Sequence, residues 1–254
     1  MPTPVVPDRF ELTGKVAIVT GGSRGLGRSM VLGLAAAGAD VVIASRKIDA
    51  CRAVADEVQS MGRRALAWSC NVSNWDELEP LADAAYETFG RVDVLVNNAG
   101  MSLLYGDVTE VTEAMWDKVV NLNLKGVFRL TALVGSRMVR DGGGSVINVS
   151  SVGSIRPTPQ ILPYAAAKAG VNTLTEGFAR ALGPSVRVNC IMAGPFLTDV
   201  TKAWDKDVLE HGPQRSALQR FGHPDEVVGA ALYFASDASS YTTGQLLRVD
   251  GGLP

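Results

Sequence analysis

A short β-branched run, Lys15 to Thr20 (KVAIVT), leads straight into Thr20–Gly27 (TGGSRGLG) and then into a helical pattern that reaches about Ala37. Strand, glycine turn and helix in that order constrain the chain more than any other feature. Gly21, Gly25 and Gly27 let the backbone turn sharply and approach a neighbour where a Cβ would stand in the way. The helix N-terminus that follows offers free N–H groups and a positive dipole to an anion, a pyrophosphate above all. A glycine turn without a ligand is the plainer alternative, and the flanking strand and helix argue against it.

The alternation continues along the chain. Strand-length runs fall at Val41–Ala44, Ala65–Trp68, Val92–Val96, Ser145–Val149, Val186–Ile191 and Leu246–Val249. Between them stand helical stretches at Ala50–Met61, from Asn74 as N-cap to Phe89, Glu113–Val139, Tyr164–Ala181 and Asp225–Ala235. Gly38 and Gly62 follow helices, where C-terminal glycines belong. Strands alternating with helices predict parallel βαβ units with right-handed crossovers. The fold class is therefore α/β: a doubly wound, Rossmann-type parallel sheet of about seven strands with helices on both faces. Such sheets bind ligands beyond the carboxyl ends of their strands. We expect a short N-terminal tail over 1–13, rich in proline, and a single catalytic domain over 14–254.

Composition narrows the function. The 254 residues are 46% hydrophobic with a net charge of −2, which excludes disorder and gives no reason to expect nucleic acid or an anionic membrane as partner. No apolar run reaches the roughly 18 residues of a membrane helix, and the N-terminus lacks a signal pattern, so a cytoplasmic location is expected. Three widely spaced cysteines (Cys51, Cys70, Cys190) and two histidines (His211, His223, expected in loops) leave little for a disulfide framework, a metal site or a Ser–His–Asp triad. No metal is expected.

The turn reads G-x-x-x-G-x-G rather than the general G-x-G-x-x-G. With this spacing the chain resembles the short-chain dehydrogenase/reductase family, over about residues 14–252. The resemblance implies a nicotinamide dinucleotide held by Gly21, Ser23, Arg24, Gly25, Leu26 and Gly27. An NAD site usually carries an acidic residue at the end of the second strand for the ribose 2′-hydroxyl. Here Ser45 takes that position, and Arg46 and Lys47 follow. A guanidinium clamps a 2′-phosphate that a carboxylate would repel. NADP(H) is therefore expected, against the plain reading of Arg46 and Lys47 as solvated charges. Asn71 stands where the family commonly has Asp and precedes Val72; both are expected at the adenine. Asn97-Asn98-Ala99-Gly100 matches the family's N-N-A-G, with Asn98, Ala99 and Gly100 at the cofactor and an Asn side chain bracing strand ends.

Tyr164 and Lys168 share one face of a helix by their i, i+4 spacing. Ser151 lies 13 residues before Tyr164, with Ser150 as an adjacent decoy, and Asn123 lies in the long helical stretch. These match the family's Asn, Ser, Tyr and Lys in order. Reduction of a ketone builds negative charge on oxygen, which a positioned donor must quench. A tyrosine of free pKa about 10 serves better if a cation such as Lys168 lowers it. The resemblance implies that Lys168 also holds the nicotinamide ribose, that Ser151 orients the substrate oxygen, and that Asn123 holds a water linking Lys168 to solvent.

On the substrate side, Ala193 replaces the family's Pro and Pro195 follows Gly194. Thr198 fits the Thr that reaches the carboxamide, and Phe196 aligns less securely. Residues 198–218 are expected to form a lid, with Trp204 either a substrate wall or an anchor. Leu103, Tyr105 and the Ser154–Leu162 loop with Arg156 are expected as the floor. Arg137 and Arg140 would suit an acidic carrier protein, or are a solvated face. Family resemblance further implies a homotetramer using the Glu113–Val139 and Tyr164–Ala181 helices and the last strand.

The expected function is that of an NADP(H)-dependent oxidoreductase acting on a small-molecule ketone or secondary alcohol, nearest in pattern to 3-ketoacyl-carrier-protein reductases. Sugar-alcohol and steroid dehydrogenases of the same family are alternatives. A nucleotide-sugar epimerase or dehydratase would need a longer C-terminal region, and a dinucleotide sensor or scaffold would not need the Asn–Ser–Tyr–Lys set.

Overall fold

The structure, a computed structural model, describes residues 9–199, 201 and 206–254. The expected N-terminal tail through residue 8 and Trp204 of the expected lid lie outside the described residues.

Seven strands form one parallel sheet in the order β3-β2-β1-β4-β5-β6-β7. They are β1 (Val16–Thr20), β2 (Asp40–Ser45), β3 (Ala65–Ser69), β4 (Val94–Asn97), β5 (Gly144–Ser151), β6 (Val186–Ala193) and β7 (Leu246–Val249). The chain works outward from β1 through β2 to β3, then returns to the other side of β1 with β4. The strand order therefore reverses between β1 and β4, and a cleft opens beyond their carboxyl ends.

The period of two along each strand divides the core into two layers. Ala17 and Val19 of β1, with Val41 and Ile43 of β2, pack against α1 (Gly25–Ala36), α2 (Ile48–Ser60) and α8 (Val228–Ala235). Ile18 and Val42, one residue out of phase, pack against α3 (Leu78–Phe89), α5 (Gly126–Arg140) and α6 (Leu162–Leu182). Two short helices, α4 (Glu113–Val120) and α7 (Lys206–His211), complete the set of labelled helices.

Four expectations need correction. The long Glu113–Val139 helix is broken: a π turn over Asn121–Lys125 separates α4 from α5. Its cause is the Asn123 side chain, whose Nδ2 donates to the Val119 carbonyl at 2.8 Å and competes with the regular helical ladder. Asn74 does cap, but it caps a 3-10 turn over Trp75–Glu77 that leads into α3. The tail expected through residue 13 also ends sooner, because Leu12 is buried in the core and its N–H donates to Ala37 at 2.7 Å. His211 ends α7 instead of lying in a loop, whereas His223 stands before the 3-10 turn Pro224–Val227. No helix among the described residues is long and apolar enough to cross a membrane.

Candidate active site

The glycine turn forms one wall of a cleft of about 650 Å³. Gly21 and Gly25 have φ of +64° and +53°, a region that side chains rarely adopt. A Cβ on Gly27 would stand 2.2 Å from the Gly21 carbonyl oxygen and 2.5 Å from Asn98 Nδ2, so only glycine permits this closure. Asn98 braces the turn from β4: its Nδ2 donates to the Thr20 carbonyl at 2.9 Å, and its N–H donates to Thr20 Oγ1 at 3.0 Å. Asn98 thus links the ends of β1 and β4 across the switch point. Arg24, the residue before α1, gives the first turn no side-chain cap. The opening N–H groups of α1 therefore keep the capacity to hold an anion. The cradle fits a dinucleotide pyrophosphate.

The rest of the expected nucleotide set lies along the same cleft, with one exception. Ser23, Leu26, Ser45, Arg46, Asn71 and Val72 line it. Ser23 Oγ donates to Ser45 Oγ at 3.0 Å and ties the glycine turn to the end of β2. Asn71 spends its Oδ1 on Ser73, accepting from Ser73 Oγ at 2.8 Å, which leaves its amide NH₂ to reach a ring. Ala99, Gly100 and Thr198 also line the cleft, and Thr198 Cγ2 would lie 3.4 Å from a Cβ at Gly25, directly over the turn. Lys47 is the exception: it precedes α2 as an exposed residue and does not line the cleft.

Opposite the turn, β5 and α6 bring Ser151, Tyr164 and Lys168 together. Ser151 and Tyr164 are neighbours on this wall. Ser151 accepts from the Gly153 N–H at 3.1 Å, which fixes its rotamer. The decoy is resolved by strand alternation: Ser150 is 2% exposed, and its Oγ donates to the Lys168 carbonyl at 3.1 Å, joining β5 to the α6 backbone. Lys168 is buried and donates from Nζ to the Val149 carbonyl at 2.7 Å.

Electrostatics at this end differ from the expectation that Lys168 lowers the phenol. Burial pushes Tyr164 up, and the nearby Ser151 hydroxyl opposes it. Burial also pushes the Lys168 ammonium down to about 8, with the nearby Cys190 thiol opposing. In the chain alone, without the oxidised nicotinamide that would act beside Lys168, desolvation dominates both groups.

Asn123 does not line the cleft. It is fully buried, with Nδ2 donating to the carbonyls of Met101 and Val119 at 2.8 Å and Oδ1 accepting from the Met101 N–H at 3.2 Å. Its side chain fastens the segment after β4 to the π turn. It still borders the site, since a Cβ on Gly100 would meet both Asn123 Oδ1 (2.8 Å) and Lys168 Nζ (3.4 Å).

The substrate end departs from expectation in detail. Leu104 lines the cleft, whereas Leu103 and Tyr105 do not. Tyr105 instead pins the loop before α6, donating to the Pro159 carbonyl at 2.7 Å and accepting from the Leu162 N–H at 2.9 Å. Arg156 lines the cleft as expected, and Phe196 is both a wall residue and buried core. Arg215, within the expected lid, lines it too, as do Phe221 and Leu253, which sequence reasoning missed. They reach the site by long-range folding: Leu218 N–H donates to the Gly251 carbonyl at 3.0 Å, which carries the C-terminal segment to the cleft. No local pattern marks such a contact. Of the two arginines weighed as carrier contacts, Arg137 is paired with Asp83 at 2.5 Å.

Comparison with known proteins matches this architecture. A family model described as enoyl-(acyl carrier protein) reductase matches residues 21–254. The 3-oxoacyl-[acyl-carrier-protein] reductase FabG of Thermotoga maritima is 37% identical over 96% of this chain and 99% of its own. A solved 7α-hydroxysteroid dehydrogenase, in complex with NADH and 7-oxo glycochenodeoxycholic acid, superposes with a TM-score of 0.94 at 34% identity over 98% of both chains. The NADPH-dependent 3-quinuclidinone reductase of Rhodotorula rubra superposes with a TM-score of 0.93 at 30% identity, over 100% of this chain and 96% of that one. With sheet order, glycine cradle and full-length relatives in agreement, the chain belongs to the short-chain dehydrogenase/reductase family of oxidoreductases.

Proposed function

We propose that the protein is an NADP(H)-dependent carbonyl reductase whose first substrate class is a 3-ketoacyl thioester. One observation carries the chemistry: Ser151, Tyr164 and Lys168 line the same cleft as the glycine cradle. Gly21, Gly25, Gly27 and the start of α1 would hold the pyrophosphate, Asn71 the adenine, Lys168 the nicotinamide ribose and Thr198 the carboxamide. A bound nicotinamide supplies the hydride and, when oxidised, a positive charge near the phenol.

The chain's own residues do the rest. Tyr164 donates its phenolic proton to the substrate oxygen as negative charge builds there, and Ser151 donates a second hydrogen bond to the same atom. Lys168, held by the Val149 carbonyl one helical turn from Tyr164, favours the phenolate that remains. Asn123 is a positioning residue, because its polar atoms are committed to Met101 and Val119. A water link between Lys168 and solvent would then use backbone groups of the π turn.

Support for NADP(H) comes from Ser45 and the exposed Arg46, which stand at the end of β2 in place of a carboxylate. A steroid ketone is the second reading, favoured by the apolar wall of Leu104, Ile161 and Phe221 and by the 7-oxo glycochenodeoxycholic acid held by the structural neighbour. A homotetramer follows the same reading: Trp116 on α4 and Phe128 on α5 are 44% and 43% exposed, which suits a face covered by a second copy. The free buried thiols of Cys51, Cys70 and Cys190 suit a reducing, cytoplasmic setting.

Loss of reduced-nicotinamide absorbance tests the proposal, using an acetoacetyl thioester, a β-ketoester, a steroid ketone and a keto-sugar. Turnover of the thioester, faster with NADPH than with NADH, is expected. Silence on all four with NADPH bound would overturn it in favour of a dinucleotide sensor. Light scattering reads the oligomer in the same preparation, and a monomer would contradict the tetramer.

A further inference from the structure

We propose that the substrate carries an anionic group remote from its ketone, met by Arg156 and Arg215, with an apolar body between the two. This deepens the reductase reading and rests on it for the identity of the cleft.

Arg156 stands five residues after Ser151 and eight before Tyr164, and Arg215 closes the turn Pro213–Arg215. Both line the cleft that holds Ser151 and Tyr164. Neither guanidinium has a hydrogen-bond or ion-pair partner among the described residues. By contrast, Arg24 pairs with Asp199, Arg137 with Asp83 and Arg220 with Glu226. Guanidiniums left without a carboxylate in a concave site favour carboxylate or phosphate, which they bind in a planar, charge-assisted fork.

Charge balance points the same way. The chain as a whole carries a net −2, yet the cleft is cationic. Among its described lining residues the single carboxylate is Asp199, already paired with Arg24 at 3.7 Å. Arg24 lies in the glycine turn and Arg46 ends β2, which assigns these two to the nucleotide. Arg156 and Arg215 sit on the segments that flank Tyr164 and the C-terminal strand. A cleft of one sign in a slightly acidic protein draws in ligands of the opposite sign.

Part of the cleft wall is apolar. Leu104, Ile161, Phe221 and Leu253 line it, and Leu104 is 57% exposed. Ketone, hydrocarbon and anion are thus the three parts the cleft recognises. A free keto acid presents them with a carboxylate, and a keto thioester on a phosphate-bearing carrier presents them with a phosphate.

The test uses matched pairs that differ only in the anion. One arm compares 9-oxodecanoate with its methyl ester. The other compares the acetoacetyl thioester of 4′-phosphopantetheine with that of pantetheine, which lacks only the phosphate. Binding to the NADPH-loaded protein is read by calorimetry, and KM by NADPH oxidation. The anionic member of at least one pair should bind about tenfold tighter, the scale of one charge-assisted hydrogen bond. A gap in the first arm names a carboxylate and a gap in the second a phosphate. Arg156→Gln and Arg215→Gln should each shrink that gap, as should added salt. Lys118→Gln, an exposed charge on α4 that does not line the cleft, should leave it intact. Gaps within about twofold in both arms, or a gap that survives the double variant, overturn the proposal. Failure of the reductase reading looks different: no member is reduced, whatever the binding gaps.

Discussion

The Lys168 ammonium lies 5.8 Å from the centroid of the Tyr164 ring, one turn away on α6, and both side chains face the cleft. Lys168 is 3% exposed, and burial brings it from its ordinary 10.5 down to about 8. Folding therefore works against its charge. Below about pH 8 both folded and unfolded chains carry the proton, and the cost of burying it is complete. Between about 8 and 10.5 the folded chain sheds the proton first, so this cost fades as pH rises. The gap corresponds to about 3 kcal/mol, less about 1 kcal/mol for the Val149 carbonyl that a variant would leave without its donor. Lys168→Met should thus stabilise the cofactor-free protein by about 2 kcal/mol at pH 7 and by much less at pH 10, while abolishing turnover. Urea denaturation at the two pH values measures it. A variant less stable than the parent at pH 7 would contradict the account.

Ser150 and Ser151 are neighbours in sequence and, in the proposed mechanism, opposite in role. Ser150→Ala removes a buried bond to the α6 backbone and should cost about 1 kcal/mol of stability with turnover largely kept. Ser151→Ala should leave stability within about 1 kcal/mol and lower kcat by roughly a hundredfold, the scale of one lost donor to developing charge. Steady-state kinetics beside thermal melts separates the two, and equal losses of kcat would remove the distinction.

The proposal of NADP(H) rests on the end of β2. Replacing Ser45 with Asp and Arg46 with Leu adds a carboxylate and removes the guanidinium beside the ribose. The ratio of kcat/KM for NADPH over NADH should fall by roughly ten- to a hundredfold, the worth of a charge-assisted hydrogen bond. An unchanged ratio would place the selector elsewhere, with Arg24 next to be tested.

Asn123→Ala strips three hydrogen bonds from a fully buried site and leaves the Met101 backbone without its partners. We expect a loss of about 3 kcal/mol and a fall in Tm of about 6–12 °C. Loss of amide-exchange protection should concentrate at 99–101 and in the π turn. Protection lost evenly over the sheet would argue against a local fastening role.

Much of the fold was legible because strands and helices carry different periods. Each strand from β1 to β7 was readable as a short apolar run, and Ala17 and Ile18 divide between the two helical layers as period-two alternation requires. The broken helix was not legible: a π turn depends on one side chain reaching Val119 and Met101, and Met101 comes from another part of the chain. The glycine turn was readable because its φ values demand glycine. Lys47, expected at the nucleotide, sits beyond the strand end that carries Arg46 to the cleft. Tyr105 looked like a wall residue, but its hydroxyl is spent on Pro159 and Leu162. Arg215 and Leu253 reach the cleft through contacts between distant segments, which local pattern does not encode.

The central claim is that Tyr164 delivers the proton while the chain holds the cofactor independently of it. Tyr164→Phe tests this most directly, with NADPH affinity measured by fluorescence and ketone reduction measured on the same protein. The account predicts an NADPH Kd within about threefold of the parent and a kcat reduced roughly 10²–10⁴-fold, the range for a lost general acid. Near-parental turnover in that variant would contradict it.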